Sequence, residues 1–186
     1  MRITGGRAKG ISLKSPKGQV TRPAADAIRE ALFSSLSSRV IESRVLDLFA
    51  GTGAYGLEAL SRGASQLGFV EMNYRAVDCI KENLRRVKKS FDSRSVEVNI
   101  QCGDVFKAKS MALVEWDLLI ADPPYSDIPS VEQKLFELAD GLLAPDGLLI
   151  LEHPADQSFP STSWVEIKRL GKKRGRGPAI SIFRRT

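Results

Sequence analysis

Histidine and cysteine are nearly absent from this 186-residue chain. The single histidine, His153, excludes clusters of imidazole ligands, and Cys79 and Cys102 have neither metal-ligand nor redox spacing. No metal site is expected, and both cysteines read as free thiols of a reducing cytoplasm. Long apolar runs are missing as well. None approaches the roughly 20 residues of a membrane span. No signal peptide precedes the basic N-terminus, so a soluble cytoplasmic protein is expected. Internal repeats and low-complexity linkers are also lacking, and the length suits one domain with a small extension.

Negative charge is missing from one end. Residues 168–186 hold eight Lys+Arg and no acid, a net +8. Residues 1–44 hold nine against three, a net +6, and residues 45–167 eleven against nineteen, a net −8. Basic segments flanking an acidic middle suit a polyanionic partner, because phosphate neutralisation drives non-specific nucleic-acid affinity. Two solvated tails would look the same by charge alone.

The most informative stretch is Arg44–Ser61, RVLDLFAGTGAYGLEALS. Its short apolar start reads as a buried strand. The run breaks at Gly51-Thr52-Gly53-Ala54-Tyr55-Gly56, a G-x-G-x-x-G, and resumes with Leu57, Ala59 and Leu60 at helical spacing. Strand, glycine turn and helix are the setting in which such a loop lies against a nucleoside ligand. Glu71 ends a second apolar stretch, Gln66–Val70, twenty residues after Gly51. A carboxylate there can accept hydrogen bonds from both ribose hydroxyls. Asp47, inside the first strand, lies close to where a dinucleotide would place its pyrophosphate. An acid at that point favours a ligand carrying a cation, such as an α-amino group or a sulfonium, over a nicotinamide dinucleotide. Asp-x-Phe-x-Gly-x-Gly resembles motif I of class I S-adenosylmethionine-dependent methyltransferases.

Before that stretch, Ile3, Ile11 and Leu13 suggest two short strands around a Gly6–Gly10 turn, with Arg2, Arg7, Lys9 and Lys14 outward. Ile28, Ala31, Leu32 and Leu36 form a helical stripe, which leaves Thr21, Arg22, Asp26 and Arg29 largely off it. After it, helices are expected over Arg75–Lys88 and Ile128–Leu143. Strands are expected at Val96–Ile100, Trp116–Ala121 and Leu148–Leu151, with Leu143–Gly147 a turn. Two final strands, Trp164–Leu170 and Ala179–Arg185, have no helix between them, so one should be antiparallel. Alternation elsewhere implies a mostly parallel sheet with helices on both faces. Asp104 falls just past a strand end, where it could meet an adenine amino group or cap a helix. His153 reads as a loop residue.

Asp122-Pro123-Pro124-Tyr125 ends one of these strands. The exocyclic amine of a nucleobase is a poor nucleophile, since its lone pair is delocalised into the ring. Asp122 Oδ and the Pro123 carbonyl can each accept one N–H and aim that lone pair at an electrophile. Two prolines stiffen the loop, and Tyr125 offers a ring for a flipped base to stack on. Catalysis of this kind is mostly positioning.

The Asp122–Tyr125 loop resembles motif IV, (D/N/S)-P-P-(Y/F/W), of amino-group methyltransferases acting on DNA or RNA. RITGGRAKGISLKSP followed by TRPAADAIREALFSSL is similar to the opening of the RsmD-type bacterial small-subunit ribosomal RNA guanine-N2 methyltransferases. That family begins with R-I-x-G-G-x-x-x-G-x-x-L, then R-P-x-x-D-x-x-R-E-x-L-F, then D-x-F-A-G-(T/S)-G. The resemblance runs from Arg2 to Arg185. It implies a Rossmann-like class I methyltransferase fold with S-adenosylmethionine as donor and a guanine amine of ribosomal RNA as acceptor. Residues 1–44 would be a basic extension of hairpin and helix, and residues 45–186 the methyltransferase domain, working as a monomer on RNA or an assembling small subunit. The implied cofactor contacts are Asp47, Phe49, Gly51, Thr52, Gly53, Gly56, Glu71, Met72, Asp104 and Val105. Asp122, Pro123, Pro124 and Tyr125 are the implied catalytic loop. RNA contacts are expected from Arg7, Lys9, Arg22, Arg29, Lys172, Lys173, Arg174 and Arg176. The chain departs from the family at Arg174-Gly175-Arg176-Gly177-Pro178, where an aromatic-glycine pair is usual. A DNA adenine-N6 or cytosine-N4 enzyme and a non-catalytic RNA-binding or assembly protein are the competing readings.

Overall fold

A computed structural model describes residues 1–16, 23–91, 96–160, 163–172, 175 and 177–186. Helix α1 (Pro23–Leu36) precedes β1 (Arg44–Leu48), α2 (Ala54–Ser61), β2 (Gln66–Glu71), α3 (Tyr74–Lys89) and β3 (Glu97–Cys102). The chain continues through β4 (Trp116–Ala121), α4 (Ile128–Leu142), β5 (Leu143–Pro154), β6 (Trp164–Gly171) and β7 (Pro178–Arg185). Among the described residues no helix is long and apolar enough to cross a membrane.

Seven strands form one sheet in the order β3-β2-β1-β4-β5-β7-β6. Strands β1 to β5 run parallel, while β7 is antiparallel to both β5 and β6. The inner strands β1, β2 and β4 are apolar on both faces because helices cover both. Val45, Leu67, Phe69 and Ile120 point towards α1, α2 and α3, and Leu46, Leu48, Val70 and Leu119 towards α4. Edge strand β6 is mostly exposed and charged, which discourages further pairing. Sequence order reverses between β1 and β4, and ligands of open α/β sheets bind at the carboxyl ends flanking such a switch point.

Strand β5 is longer than the apolar run Leu148–Leu151 suggests. Its register against β4 shifts between Leu143 and Leu148, so the expected turn is a bulge within the strand. At the far end Glu152, His153 and Pro154 pair with Ile180, Ala179 and Pro178 of β7. His153 is therefore not a loop residue. It is buried, its ring nitrogens lie 2.7 Å from the Pro154 carbonyl and 2.8 Å from Ser181 Oγ, and burial lowers its pKa.

The N-terminal segment forms only one antiparallel bridge, Arg2 to Ser12, in place of the two strands expected. The two arms are joined, Ile3 N donating to Ile11 O at 2.9 Å and Leu13 N to Met1 O at 3.1 Å, while the stretch between them docks on α2. Thr4 N and Gly5 N donate to Glu58 of α2, and Arg7 N and Ala8 N donate to Ser61. Ile3, Ala8 and Leu13 join the same apolar cluster as α1 and the sheet.

Glu58 is fully buried and accepts from Thr4 N, Thr4 Oγ1, Gly5 N, Arg29 Nε and Arg62 Nε at 2.7–3.4 Å. Arg29 is equally buried, with Asp26 at 2.9 Å and the Arg2 carbonyl as its other acceptors. Glu58→Ala should cost about 3–5 kcal/mol in urea unfolding, because it strands a buried guanidinium. A loss of under about 1 kcal/mol, the scale of a surface pair, would show that this cluster does not hold the N-terminal segment.

Candidate active site

The carboxyl ends of β1, β2, β3 and β4 open onto a cleft of about 840 Å³. Phe49 follows β1 with φ 56°, a left-handed conformation that an aromatic residue rarely adopts. Its ring meets Phe106 edge to face, with centroids 6.4 Å apart, and lines the cleft. Gly51 and Gly53 also take positive φ, 53° and 76°, and so turn the chain into α2. At Gly56 the need is different: a Cβ there would sit 2.4 Å from the Phe69 ring, so only glycine lets α2 lie this close to β2.

Two carboxylates hold this loop. Glu71 Oε2 accepts from Gly51 N at 2.7 Å and Oε1 from Asn73 N at 2.8 Å, with the side chain facing the cleft. Asp47 is placed otherwise than expected. It is buried beneath the loop, accepts from Gly56 N at 2.9 Å and does not line the cleft. Burial pushes its carboxyl up to about 8; Glu71 adds to the rise, while the Gly56 N–H and Arg29 oppose it. Thr52, Gly53 and Gly56 likewise shape the loop from behind, and the Thr52 hydroxyl lies 3.3 Å from Met1 Sδ. Of the two alternatives for Asp104, the helix cap is the one observed, and the residue also faces the cleft. It caps the short 3₁₀ helix Val105–Lys107 through Phe106 N at 3.0 Å, and it lines the cleft beside Met72 and Val105.

Asp122, Pro123, Pro124 and Tyr125 line the same cleft across the switch point. The Asp122 N–H reaches the Leu48 carbonyl at 3.5 Å, which ties this loop to the end of β1. Burial raises the Asp122 carboxyl well above the usual range, and the charges of Glu152 and Asp47 raise it further. Glu152 joins the site without having been expected there. It is buried at the cleft wall and accepts from the hydroxyls of Tyr55 and Tyr125, the latter at 3.2 Å. Burial first, then Glu152 and Asp122, holds the Tyr55 hydroxyl well above its normal pKa, so it stays a donor. A signal for Glu152 exists in the sequence, since it ends an apolar strand as Glu71 does. The apolar run itself stops one residue earlier, at Leu151.

The expected RNA contacts are not brought together. Arg29 is buried in the Glu58 cluster and cannot meet a phosphate. Arg7 stacks on Phe91, just past the last turn of α3, and does not line the cleft. Lys9 lines a separate hollow with Asp26 and Glu30. Lys172 is exposed at the tip of the β6–β7 hairpin, next to the end of β5 that carries Glu152. Arg22, Lys173, Arg174 and Arg176 lie outside the described residues.

The family model described as "Conserved hypothetical protein 95" matches residues 1–178. The chain is 32% identical over 162 residues to ribosomal RNA small subunit methyltransferase D of Escherichia coli K12, covering 87% of this chain and 78% of that one. The Haemophilus influenzae protein of the same name is 32% identical over 170 residues, covering 90% and 86%. The chain belongs to the RsmD-type methyltransferase family. A solved structure of a hypothetical protein from Thermus thermophilus superposes with TM-score 0.78 at 32% identity, covering 98% of both chains. The RsmD-type fold here is thus the Rossmann-like class I methyltransferase sheet, with its reversed strand β7 in the expected place.

Asp47 also makes stability depend on pH in the ligand-free protein. Its folded pKa of about 8 lies above the ordinary carboxyl value of 3.8, so between those values the folded state keeps a proton that the unfolded chain has lost. Stability should therefore fall as pH rises, by up to about 1.4 kcal/mol per unit, and level off above the folded pKa. Asp122 acts with the same sign. Asp47→Asn retains an acceptor for Gly56 and should flatten the decline in urea midpoint between about pH 5 and pH 8. An unaltered slope in this variant would assign the titration elsewhere.

Proposed function

We propose that this protein transfers a methyl group from S-adenosylmethionine to the exocyclic N2 amine of a guanine in small-subunit ribosomal RNA. The names of the E. coli and H. influenzae relatives support the substrate class. The observation that carries the reading is the lining of the cleft. The glycine loop and the Asp-Pro-Pro-Tyr loop share it. Apart from Tyr125, its ionisable side chains among the described residues are all acids: Glu71, Asp104, Asp122, Asp127 and Glu152. Such a wall suits a cationic nucleoside and N–H donors, and it is unfavourable for a pyrophosphate.

S-adenosylmethionine supplies an electrophilic methyl group on a sulfonium. Glu71 takes the ribose hydroxyls, and Asp104 with Met72, Val105 and Phe49 forms the adenine end. Asp122 and the Pro123 carbonyl accept the two N–H bonds of the target amine and direct its lone pair. Tyr125 stacks against the base. As the new N–C bond forms, the methyl–sulfur bond breaks with its electron pair left on a neutral thioether, and the nitrogen's surplus proton passes to Asp122 in its ionised form. Residues 45–186 carry these groups, and residues 1–44 form an extension packed against α2. Phosphate contact falls to the exposed Lys172 and, on their charge alone, to Arg22, Lys173, Arg174 and Arg176.

The test is transfer of labelled methyl to undermethylated small subunits, followed by nucleoside analysis. N2-methylguanosine is expected, and N6-methyladenosine would overturn the reading. Asp122→Ala should nearly abolish turnover and leave donor affinity within about threefold, since Asp122 faces the acceptor. Full activity in that variant would remove the loop from the mechanism. Glu71→Ala should weaken donor binding by about 1.5–3 kcal/mol, the scale of a hydrogen bond to a charged group. An unchanged dissociation constant by calorimetry would place the ribose elsewhere.

A further inference from the structure

The register of the sheet sets a second carboxylate beside the catalytic one. Ala121 of β4 pairs with Leu151 of β5 in parallel, so Asp122 and Glu152 are the next residues of neighbouring strands. Strand spacing puts their backbones about 4.8 Å apart. Both line the cleft. Glu152 is only 9% exposed, and the hydroxyls of Tyr55 and Tyr125 each bond one of its oxygens, which fixes the plane of the carboxylate. A carboxylate oxygen can accept more than one donor, so each can still take a ligand N–H. The methyl transfer derived above does not use Glu152.

We infer that Glu152 selects the base: its carboxylate accepts the N1–H of the target guanine while Asp122 accepts from the neighbouring N2 amine. The inference rests on the proposed guanine-N2 activity and deepens it. Two adjacent carboxylates repel one another, and a ligand edge with two adjacent N–H groups relieves both. Among the amino-bearing bases only guanine offers that edge. Its amine at N2 stands beside the donor N1–H, whereas the adenine amine stands beside the acceptors N1 and N7 and the cytosine amine beside the acceptor N3. An acceptor facing Glu152 would leave a buried carboxylate against a lone pair, the situation by which polar sites reject an analogue most strongly.

The experiment replaces the methylated guanine, located by nucleoside mapping, with 2-aminopurine, which keeps the N2 amine but presents an acceptor at N1. The unaltered protein should prefer guanine by at least about 100-fold in kcat/KM. Glu152→Gln presents an amide N–H to that acceptor. It should therefore narrow the ratio by about tenfold or more, while S-adenosylmethionine affinity stays within about threefold. A merely structural role would lower both rates together and leave the ratio unchanged, which overturns the inference. Equal rates on the two bases with the unaltered protein overturn it as well, even if the variant fails to fold. If the unaltered protein methylates guanine N2 but the ratio is indifferent to Glu152, only this inference falls. If it methylates no guanine amine, the proposed function falls and this inference with it.

Discussion

Helix α2 is eight residues long, and every one of them is buried. A helix that short is marginal on its own in water, so its place must come from its surroundings. Three carboxylates supply much of what holds it. Asp47 takes the Gly56 N–H in its first turn, Glu71 takes Gly51 just ahead of it, and Glu58 on the helix gathers donors from residues 4–5, α1 and the end of α2. The glycine loop is thus held between a buried acid below and a half-exposed acid above. Asn83 of α3 closes the arrangement, donating to the carbonyls of Thr52 and Lys14. The basic N-terminal segment takes part in shaping the site without entering it, apart from Met1 at its edge.

The same acids explain how charge is arranged in the whole chain. The net charge is +6, yet the ionisable side chains described in the cleft wall are all acidic. Burying carboxylates this close together raises Asp47 and Asp122, a cost that a ligand with a positive sulfur and several N–H donors offsets. A polyanion would be repelled from such a floor, whereas a single base that offers N–H donors would not.

The strand, glycine turn and helix around Gly51 were legible because three local signals agree there: an apolar run, turn glycines and helical spacing. Glu71 and the Asp122–Tyr125 loop were legible for the related reason that each stands at the end of an apolar strand, and Asp104 because it follows an alternating one. Arg29 was not. Helical spacing places it off the apolar stripe, and nothing local announces that Glu58, 29 residues away, neutralises it. Asp47 was seen as important but turned the wrong way, since strand periodicity does not say whether a loop folds over or under a side chain. The N-terminal hairpin is present but short. Ile3 N bonds Ile11 O and Leu13 N bonds Met1 O across the arms, while the donors of Thr4, Gly5 and Ala8 go to α2, so the ladder does not extend beyond the Arg2–Ser12 bridge.

Glu152 shows where a tertiary constraint supplies what local sequence lacks. The apolar run of β5 stops at Leu151, and a histidine and a proline follow at 153 and 154. The strand nevertheless continues to Pro154, because β7 inserts antiparallel between β5 and β6 and pairs with residues 149–154. Pairing with Ile180 fixes the Glu152 backbone, and the two tyrosine hydroxyls fix its side chain. Ala155 N donates to Gly177 O at 2.9 Å and Lys172 N to Pro178 O at 3.3 Å, so the hairpin tip is anchored to the same end of β5. The C-terminal hairpin thereby has two duties that the chain order separates. It sets an acid in the wall of the cleft and leaves the exposed Lys172 at the same end of the sheet.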